Sequence, residues 1–335
     1  MKFGIQTPTC GEGLIYPAGF ANHRTMVELS QNAERLGYDS TWGNDHISTQ
    51  RYVKDLMAKP PNYFEPLITH AFISEATKKI RLGTGIIALP YRNPVILAKQ
   101  LSTLDNLSKG RMIMGLGSGA YREEFEGINP GWDYEQRGVL MDEAVQALRL
   151  LLEKPKASFN GKFIKFADIE MFPKPKQKPF PLWMGGNSKA VLRRAGTWGE
   201  GWLPAVLTPE KVREGIRAIR KHAQRAGKDA SRLVVGPQYV FLVAKHAEEA
   251  SRKFKRSLAY EHLLSLRKTT FKGQDLEAYE KTNLIGSPTQ IIERIDGLMK
   301  AGVNYLPALI PLASNYGQLM EQVKAFAREV MPSFS

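Results

Sequence analysis

The sequence predicts an α/β protein, a single (β/α)8 (TIM) barrel with insertion segments, spanning residues 1–335 as one domain. Three observations predict it. Strand-like and helix-like segments alternate from one end of the chain to the other, the pattern of parallel α/β architecture. Eight such pairs fit within 335 residues, a normal length for a barrel that carries an insertion. Small or polar residues recur where the first five predicted strands give way to their helices, the rim on which such barrels place their chemistry. The alternation also permits an open doubly wound sheet. No internal repeat of fixed period appears.

The first strand is Lys2–Thr7. The helix after it shows Met26, Leu29, Ala33 and Leu36 at helical spacing before Gly37 stops it. Residues 40–45 form the second strand and 63–77 the next helix. After the third strand, at 81–87, Asn93-Pro94 supplies a cap and a first-turn proline to a helix with Leu97, Leu101 and Leu104 inward. The fourth strand, 111–116, runs into Gly117-Ser118-Gly119, and its helix begins near Gln136. Residues 155–180 break the rhythm. Asn160-Gly161 and the five prolines Pro155, Pro173, Pro175, Pro179 and Pro181 read as a hairpin insertion with an extended linker. Strands five and six fall at 181–185 and 201–204, and Thr208-Pro209 caps the following helix. The seventh strand is 233–244, and 245–285 reads as a helical insertion. Ser287-Pro288 caps a helix carrying Ile291, Ile295 and Leu298, and the eighth strand is 304–311. The last helix shows Leu319, Met320, Val323, Phe326 and Val330.

Composition narrows the function classes. Apolar residues make up 43% and charged residues 24%, as in soluble globular chains. No run approaches 18 apolar residues, so no transmembrane helix and no membrane partner is expected. The N-terminus lacks a basic segment followed by an apolar one, so no secretory signal is expected. The single cysteine, Cys10, excludes a disulfide framework within the chain and suits a reducing cytoplasm. The net charge of +14 and a pI near 9.7 would attract polyanions. The charge is spread over Lys174, Lys176 and Lys178, over Arg213, Arg217 and Arg220, and over Lys253, Lys255 and Arg256. No nucleic-acid-binding motif accompanies it, so these groups read as solvated faces and no nucleic-acid partner is expected. A non-catalytic flavin- or nucleic-acid-binding protein is the remote alternative that the charge suggests.

The rim inventory locates candidate chemistry. The strands end on Gln6-Thr7, Asn44-Asp45-His46, Thr84-Gly85, Gly117-Ser118-Gly119 and Gly185-Gly186-Asn187-Ser188. His46 is of the residue type that can take or give a proton, and it would sit at the mouth; a histidine that merely caps the strand is the plainer reading. Gly185-Gly186-Asn187-Ser188 joins a strand to a helix, where backbone amides and the helix N-terminus favour a phosphate; a tight turn with no ligand is its alternative. Gly115, Gly117 and Gly119 make a glycine run short of a dinucleotide fingerprint. There is no Walker A motif, no G-x-S-x-G elbow and no metal-ligand spacing among His or Cys, so no metal site is expected. Trp42 reads as packing, and Cys10 as incidental rather than nucleophilic.

Several segments taken together resemble the bacterial luciferase-like monooxygenases and coenzyme F420-dependent oxidoreductases. They are Arg81-Leu82-Gly83-Thr84-Gly85-Ile86, the run from Pro94 to Arg111, Gly115–Gly119, Leu182-Trp183-Met184-Gly185-Gly186, 195–202 and Ile285-Gly286-Ser287-Pro288. The resemblance covers nearly the whole chain. It implies a flavin or deazaflavin across the mouth, and a non-proline cis peptide at Gly85-Ile86 that supports the ring. It places the cofactor phosphate near Gly117, Ser118 and Gly119 and near Gly185, Gly186, Asn187 and Ser188. Trp42-Gly43-Asn44-Asp45-His46 is similar to the deazaflavin branch. That branch implies coenzyme F420, with His46 taking a proton from a substrate hydroxyl while hydride passes to the cofactor, and Asp45 orienting His46. The alternative is a two-component FMN-dependent monooxygenase fed with FMNH2 by a flavin reductase. Either acts on a small-molecule substrate, and the family implies a homodimer. The sugar-phosphate dehydrogenases of the deazaflavin branch carry a glutamate where this chain has Ala120.

Overall fold

The computed structural model describes residues 1–266, 271 and 278–334. The chain runs β1 (Lys2–Thr7), α1 (His23–Arg35), β2 (Ser40–Gly43), α2 (Arg51–Leu56), α3 (Pro66–Ala76), β3 (Arg81–Ala88), α4 (Pro94–Leu107) and β4 (Met112–Gly117). There follow α5 (Arg122–Ile128), α6 (Arg137–Glu153), β5 (Lys156–Asn160), β6 (Lys165–Glu170), β7 (Leu182–Gly185), α7 (Lys189–Trp198), β8 (Gly201–Leu203) and α8 (Pro209–Arg225). The last part holds β9 (Val234–Val235), β10 (Val240–Val243), α9 (Ala247–Lys255), α10 (Leu258–Ser265), α11 (Ala278–Thr282), β11 (Leu284–Gly286), α12 (Pro288–Lys300), β12 (Tyr305–Pro311) and α13 (Tyr316–Glu329).

Ten strands form one sheet in the order β11-β10-β12-β1-β2-β3-β4-β7-β8-β9, and every adjacent pair is parallel. β5 and β6 form a separate antiparallel hairpin inside the stretch predicted to insert one. The strand count differs from the eight expected, for two reasons. The predicted seventh strand is broken into β9 and β10. Pro237 has no N–H to donate, and Gly236 lies so close to Pro307 that a Cβ there would come within 2.9 Å of it. Residues between the two halves still bond in both directions: Gly236 N to Trp202 O (2.9 Å), and Ile310 N to Tyr239 O (2.9 Å). The second addition is β11, which begins at the end of the segment read as a helical insertion and pairs with β10. Its three residues are too few for periodicity to separate strand from helix. Parts of the predicted helical insertion, 267–270 and 272–277, lie outside the described residues.

Local signals set the helix starts. Asn93 accepts from the Val95 and Ile96 amides, Thr208 from Lys211, and Ser287 forms a capping box with Gln290, each ahead of a first-turn proline. α2 and α5, of 6 and 7 residues, occupy stretches read as loops, since neither is long enough to show a period.

Two apolar layers result. One lies between sheet and helices. The other, Trp42, Ile113, Trp183, Leu203, Tyr305 and Ala308, fills the inside of the sheet's curve. Trp42 and Trp183 meet at 5.4 Å between ring centroids. Glycines admit them, since a Cβ on Gly201 would fall 2.5 Å from the Trp183 ring. The C-terminal rim of the strands is the mouth, the end at which such folds place their chemistry.

Candidate active site

β2 ends at Gly43, two residues earlier than predicted, because Asn44 leaves the ladder for side-chain bonds. Its Oδ1 accepts from the Cys10 amide and its Nδ2 donates to Cys10 O. The next residue, Asp45, is 6% exposed. Its carboxylate accepts from Arg92 Nη2 at 2.7 Å and from the Ala88 amide at 3.1 Å, and Arg92 also pairs with Glu65 at 3.0 Å. The expectation that Asp45 orients His46 is therefore corrected. A buried carboxylate needs a charged partner, and Arg92 is the one within reach. Asp45 anchors the loop that carries His46.

His46 is oriented instead by Glu124, on α5. The two Glu124 oxygens lie 3.1 and 3.2 Å from His46 Nδ1. Oε1 also accepts from the Ile47 amide at 3.0 Å, and the glutamate is 2% exposed. Gln50 Nε2 lies 2.9 Å from the same ring nitrogen. The carboxylate and the amide nitrogen make opposite demands on Nδ1. The buried carboxylate has the stronger claim, so Nδ1 carries the proton and Nε2 the lone pair. A histidine so held can accept a proton at Nε2.

Aromatic side chains surround this pair. The rings of Tyr63 and Tyr121 lie 5.7 and 5.8 Å from the imidazole. Tyr63 donates to Gln50 Oε1 at 2.8 Å, Tyr121 bonds Ser265 at 3.2 Å, and Tyr52 bonds His262 Nδ1 at 2.8 Å. Burial pushes the Tyr52, Tyr63 and Tyr121 hydroxyls up, so they stay neutral. Burial, then the nearby His46, pushes His262 down to about 3, so it is neutral too. α10 thus brings part of the insertion onto the mouth. Glu124, Tyr52, Tyr63, Tyr121 and His262 were all missed from the sequence. Their only sequence signal is Glu123-Glu124 opening a short helix.

The glycine loops meet around Ile86. The Gly85–Ile86 peptide is cis, at the bond where the resemblance places one, and the β3–β4 register shifts between Thr84 and Ile87. Gly117 and Gly185 flank the Ile86 side chain. A Cβ on Gly117 would come within 2.8 Å of it, and one on Gly185 would overlap Ile86 Cγ2. Gly119 has φ +77° and leaves room for the Tyr91 hydroxyl. These glycines therefore have a packing cause as well as any ligand-facing one. Gly186 (φ +116°) donates to Leu203 O at 3.0 Å, Asn187 bonds the Ala205 backbone at 2.8 and 3.0 Å, and Ser188 caps α7. The Gly186 amide is thus already spent. An anion at this rim would meet the first-turn amides of α7 and the partly exposed Ser118 and Gly119.

The mouth has the features a flat cofactor needs. Ile86 stands at its edge on a bulged strand, glycines clear the space around it, and the buried Oε1 of Gln6 has no hydrogen-bond partner among the described residues. Among those residues no group of three or more His, Cys, Asp or Glu could hold a metal ion. No helix there is long and apolar enough to cross a membrane. Burial pushes the Cys10 thiol up to about 12, so it is a poor nucleophile.

Behind the site, His70 is fully buried with Nε2 2.6 Å from Gly83 O. Burial pushes it down to about 4, despite that bond. An unfolded histidine titrates near 6.5, so below that pH the unfolded chain takes the proton first. Stability is then full above pH ~6.5 and falls until the folded value is reached, by about 3 kcal/mol for this group. Urea unfolding at a series of pH values checks this. His70→Asn should flatten the acid slope by that amount, and an unchanged slope would refute it.

A family model described as luciferase-like monooxygenase matches residues 1–305. An FMNH2-dependent dimethylsulfone monooxygenase of Pseudomonas putida is 29% identical over 366 aligned positions, covering 99% of this chain and 94% of that protein. An F420-dependent glucose-6-phosphate dehydrogenase of Amycolatopsis mediterranei is 25% identical over 218 positions, covering 63% of each chain. The crystal structure of the monooxygenase RslO1 from Streptomyces bottropensis superposes with a TM-score of 0.82 at 23% identity, covering 100% of both chains, and supports the fold. The chain belongs to the luciferase-like monooxygenase family and is an oxidoreductase of that family.

Proposed function

We propose that the chain holds reduced FMN across the mouth and acts as the oxygenase component of a two-component monooxygenase on a small organic substrate. The observation that carries this reading is the match to an FMNH2-dependent relative over 99% of the chain, against 63% for the F420-dependent one. A second reading, hydride exchange with coenzyme F420, is favoured by the Asn44-Asp45-His46 segment at the end of β2. The absence of the branch's glutamate at Ala120 speaks against a sugar-phosphate substrate.

Under either reading the same side chains act. Gly85 and Ile86 would support the ring, and Ser118, Gly119 and the α7 N-terminus would take the phosphate. Reduced FMN, when bound, supplies the two electrons that reduce one oxygen atom of O2 to water while the other goes to substrate. His46, with its proton held on Nδ1 by Glu124, accepts or returns a proton at Nε2. The tyrosines beside it cover the mouth and exclude water. We further take the sheet to close as an eight-stranded barrel, with 234–243 as one interrupted strand and β11 added outside it. The reduced FMN would come from a partner reductase, and a homodimer is the proposed assembly.

Anaerobic titration of the purified protein with FMNH2, and separately with F420, tests the reading by fluorescence. Micromolar binding of FMNH2 without F420 binding is expected. The reverse result would establish the second reading, and binding of neither would remove both.

A further inference from the structure

We infer that Gln6 is a cofactor contact, its unpaired side-chain amide reading the imide edge of the bound ring. The inference rests on the flavin-type reading above, and the imide edge (C=O, N–H, C=O) is common to flavin and deazaflavin.

Three observations place Gln6. On β1, a Cβ at Gly4 would meet Ser40 Oγ and Pro307 O, and that serine hydroxyl bonds Trp42 and Tyr305 of the inner layer. Gly4 therefore faces inward, and Gln6, two residues on, shares its face nearer the mouth. In register, Gln6 lies opposite Trp42 and Trp42 opposite Gly83, so Gln6 stands two residues short of the level of the Gly85–Ile86 peptide. Finally, Gln6 is 5% exposed, and its Oε1 is sealed from solvent without a hydrogen-bond partner among the described residues.

A buried carbonyl oxygen without a donor is costly and rare, and calls for a reason. The inner layer on this face is mostly apolar, and the polar atoms of Trp42 and Tyr305 are taken up by Ser40, so leucine or methionine would fill the position at less cost. The amide belongs where a ligand brings a donor to it. Gln238 reinforces the point: its Oε1 lies 3.4 Å from where a Cβ on Gly85 would sit. A second carboxamide, that of Gln238, thus stands at the bulge, on the face that Gln6 shares two residues below it. Each offers an acceptor and a donor side by side, the complement of an imide edge. Oε1 in particular needs an N–H, which the imide supplies.

The test uses the full chain with two substitutions, Gln6→Leu and Gln6→Met, and three probes: FMN, F420 and FMN methylated at the imide nitrogen. Ligand-free melting temperature and Kd by fluorescence are the readouts. In at least one folded variant the ligand-free protein is expected to melt no lower than the parent. Its Kd for whichever natural cofactor the parent binds is expected to rise at least roughly tenfold, about 1.4 kcal/mol. The methylated FMN lacks the N–H, so it should lose little further affinity in the variant. Parent binding with a Kd unchanged within a factor of two in both variants would overturn this inference alone. So would a melting temperature lowered by more than about 4 °C in both, on the order of 1 kcal/mol, because the amide would then serve the fold through an internal water. Failure of the parent to bind FMN or F420 would overturn the flavin-type reading, and this inference with it.

Discussion

Replacing Glu124 with leucine is expected to lower turnover at least roughly 100-fold, the share typical of a positioned acid–base group. It should also cost about 2–4 kcal/mol of stability, because buried donors lose a charged acceptor. The His46 ring nitrogen and the Ile47 amide all converge on this one carboxylate. Without it nothing holds the proton on Nδ1, and the loop carrying His46 loses its tie to α5. His46→Ala separates the two effects. It should lose turnover to a similar extent yet keep its cofactor affinity and most of its stability, since Glu124 would still hold the Ile47 amide. Added imidazole should partly restore His46→Ala and leave Glu124→Leu unrestored. Steady-state rates, binding titration and urea unfolding on the three proteins check the set. Turnover within tenfold of the parent in His46→Ala would remove His46 as the proton carrier.

Gly185→Val is expected to weaken cofactor binding by at least roughly tenfold and to destabilise the fold by about 1–3 kcal/mol, the usual cost of overpacking. A Cβ there overlaps Ile86 Cγ2 and comes within 3.3 Å of Leu116 O. The backbone oxygen cannot yield, so Ile86 must move toward the space proposed for the ring. Adding Ile86→Ala should return much of the stability, because the tightest overlap is with that side chain. Gly127→Ala is the control. It lies in α5 with open space around it and should stabilise by up to about 1 kcal/mol. If Gly185→Val bound cofactor like the parent, the Ile86 wedge would have no part in holding it.

Several buried or half-buried arginines serve the fold, Arg92 at the mouth and others at the opposite ends of the strands. Arg92 links Asp45 to Glu65, and Arg111 donates to backbone oxygens of Ser74, Ile80 and Ser108. Arg149 and Arg194 likewise bond backbone oxygens, of Trp198 and Gly138. Part of the +14 net charge is therefore committed to holding loops. The arginine-rich face of α8, by contrast, is solvated as the sequence suggests, with Arg213 paired to Glu210 on the same helix.

By itself, the sequence determined what near neighbours in the chain can decide. Alternating apolar periods marked the strands and helices, and Asn93-Pro94, Thr208-Pro209 and Ser287-Pro288 marked helix starts, because capping is settled within one turn. The hairpin near 155–180 was legible from Asn160-Gly161, and His46 from its place at a strand end. Tertiary structure alone decided the partners. Glu124 reaches His46 across 78 positions, and Tyr52 reaches His262 across 210. Asp45 turns to Arg92 rather than to its neighbour, since a buried carboxylate pairs with whatever charge packing brings near. The break between β9 and β10 and the addition of β11 depend on how Pro237, Gly236 and Pro307 meet across the sheet. The glycines read as a cradle for ligand also prove to be the sockets of Ile86 and Tyr91. No local pattern encodes such contacts, because they exist only once distant strands have paired.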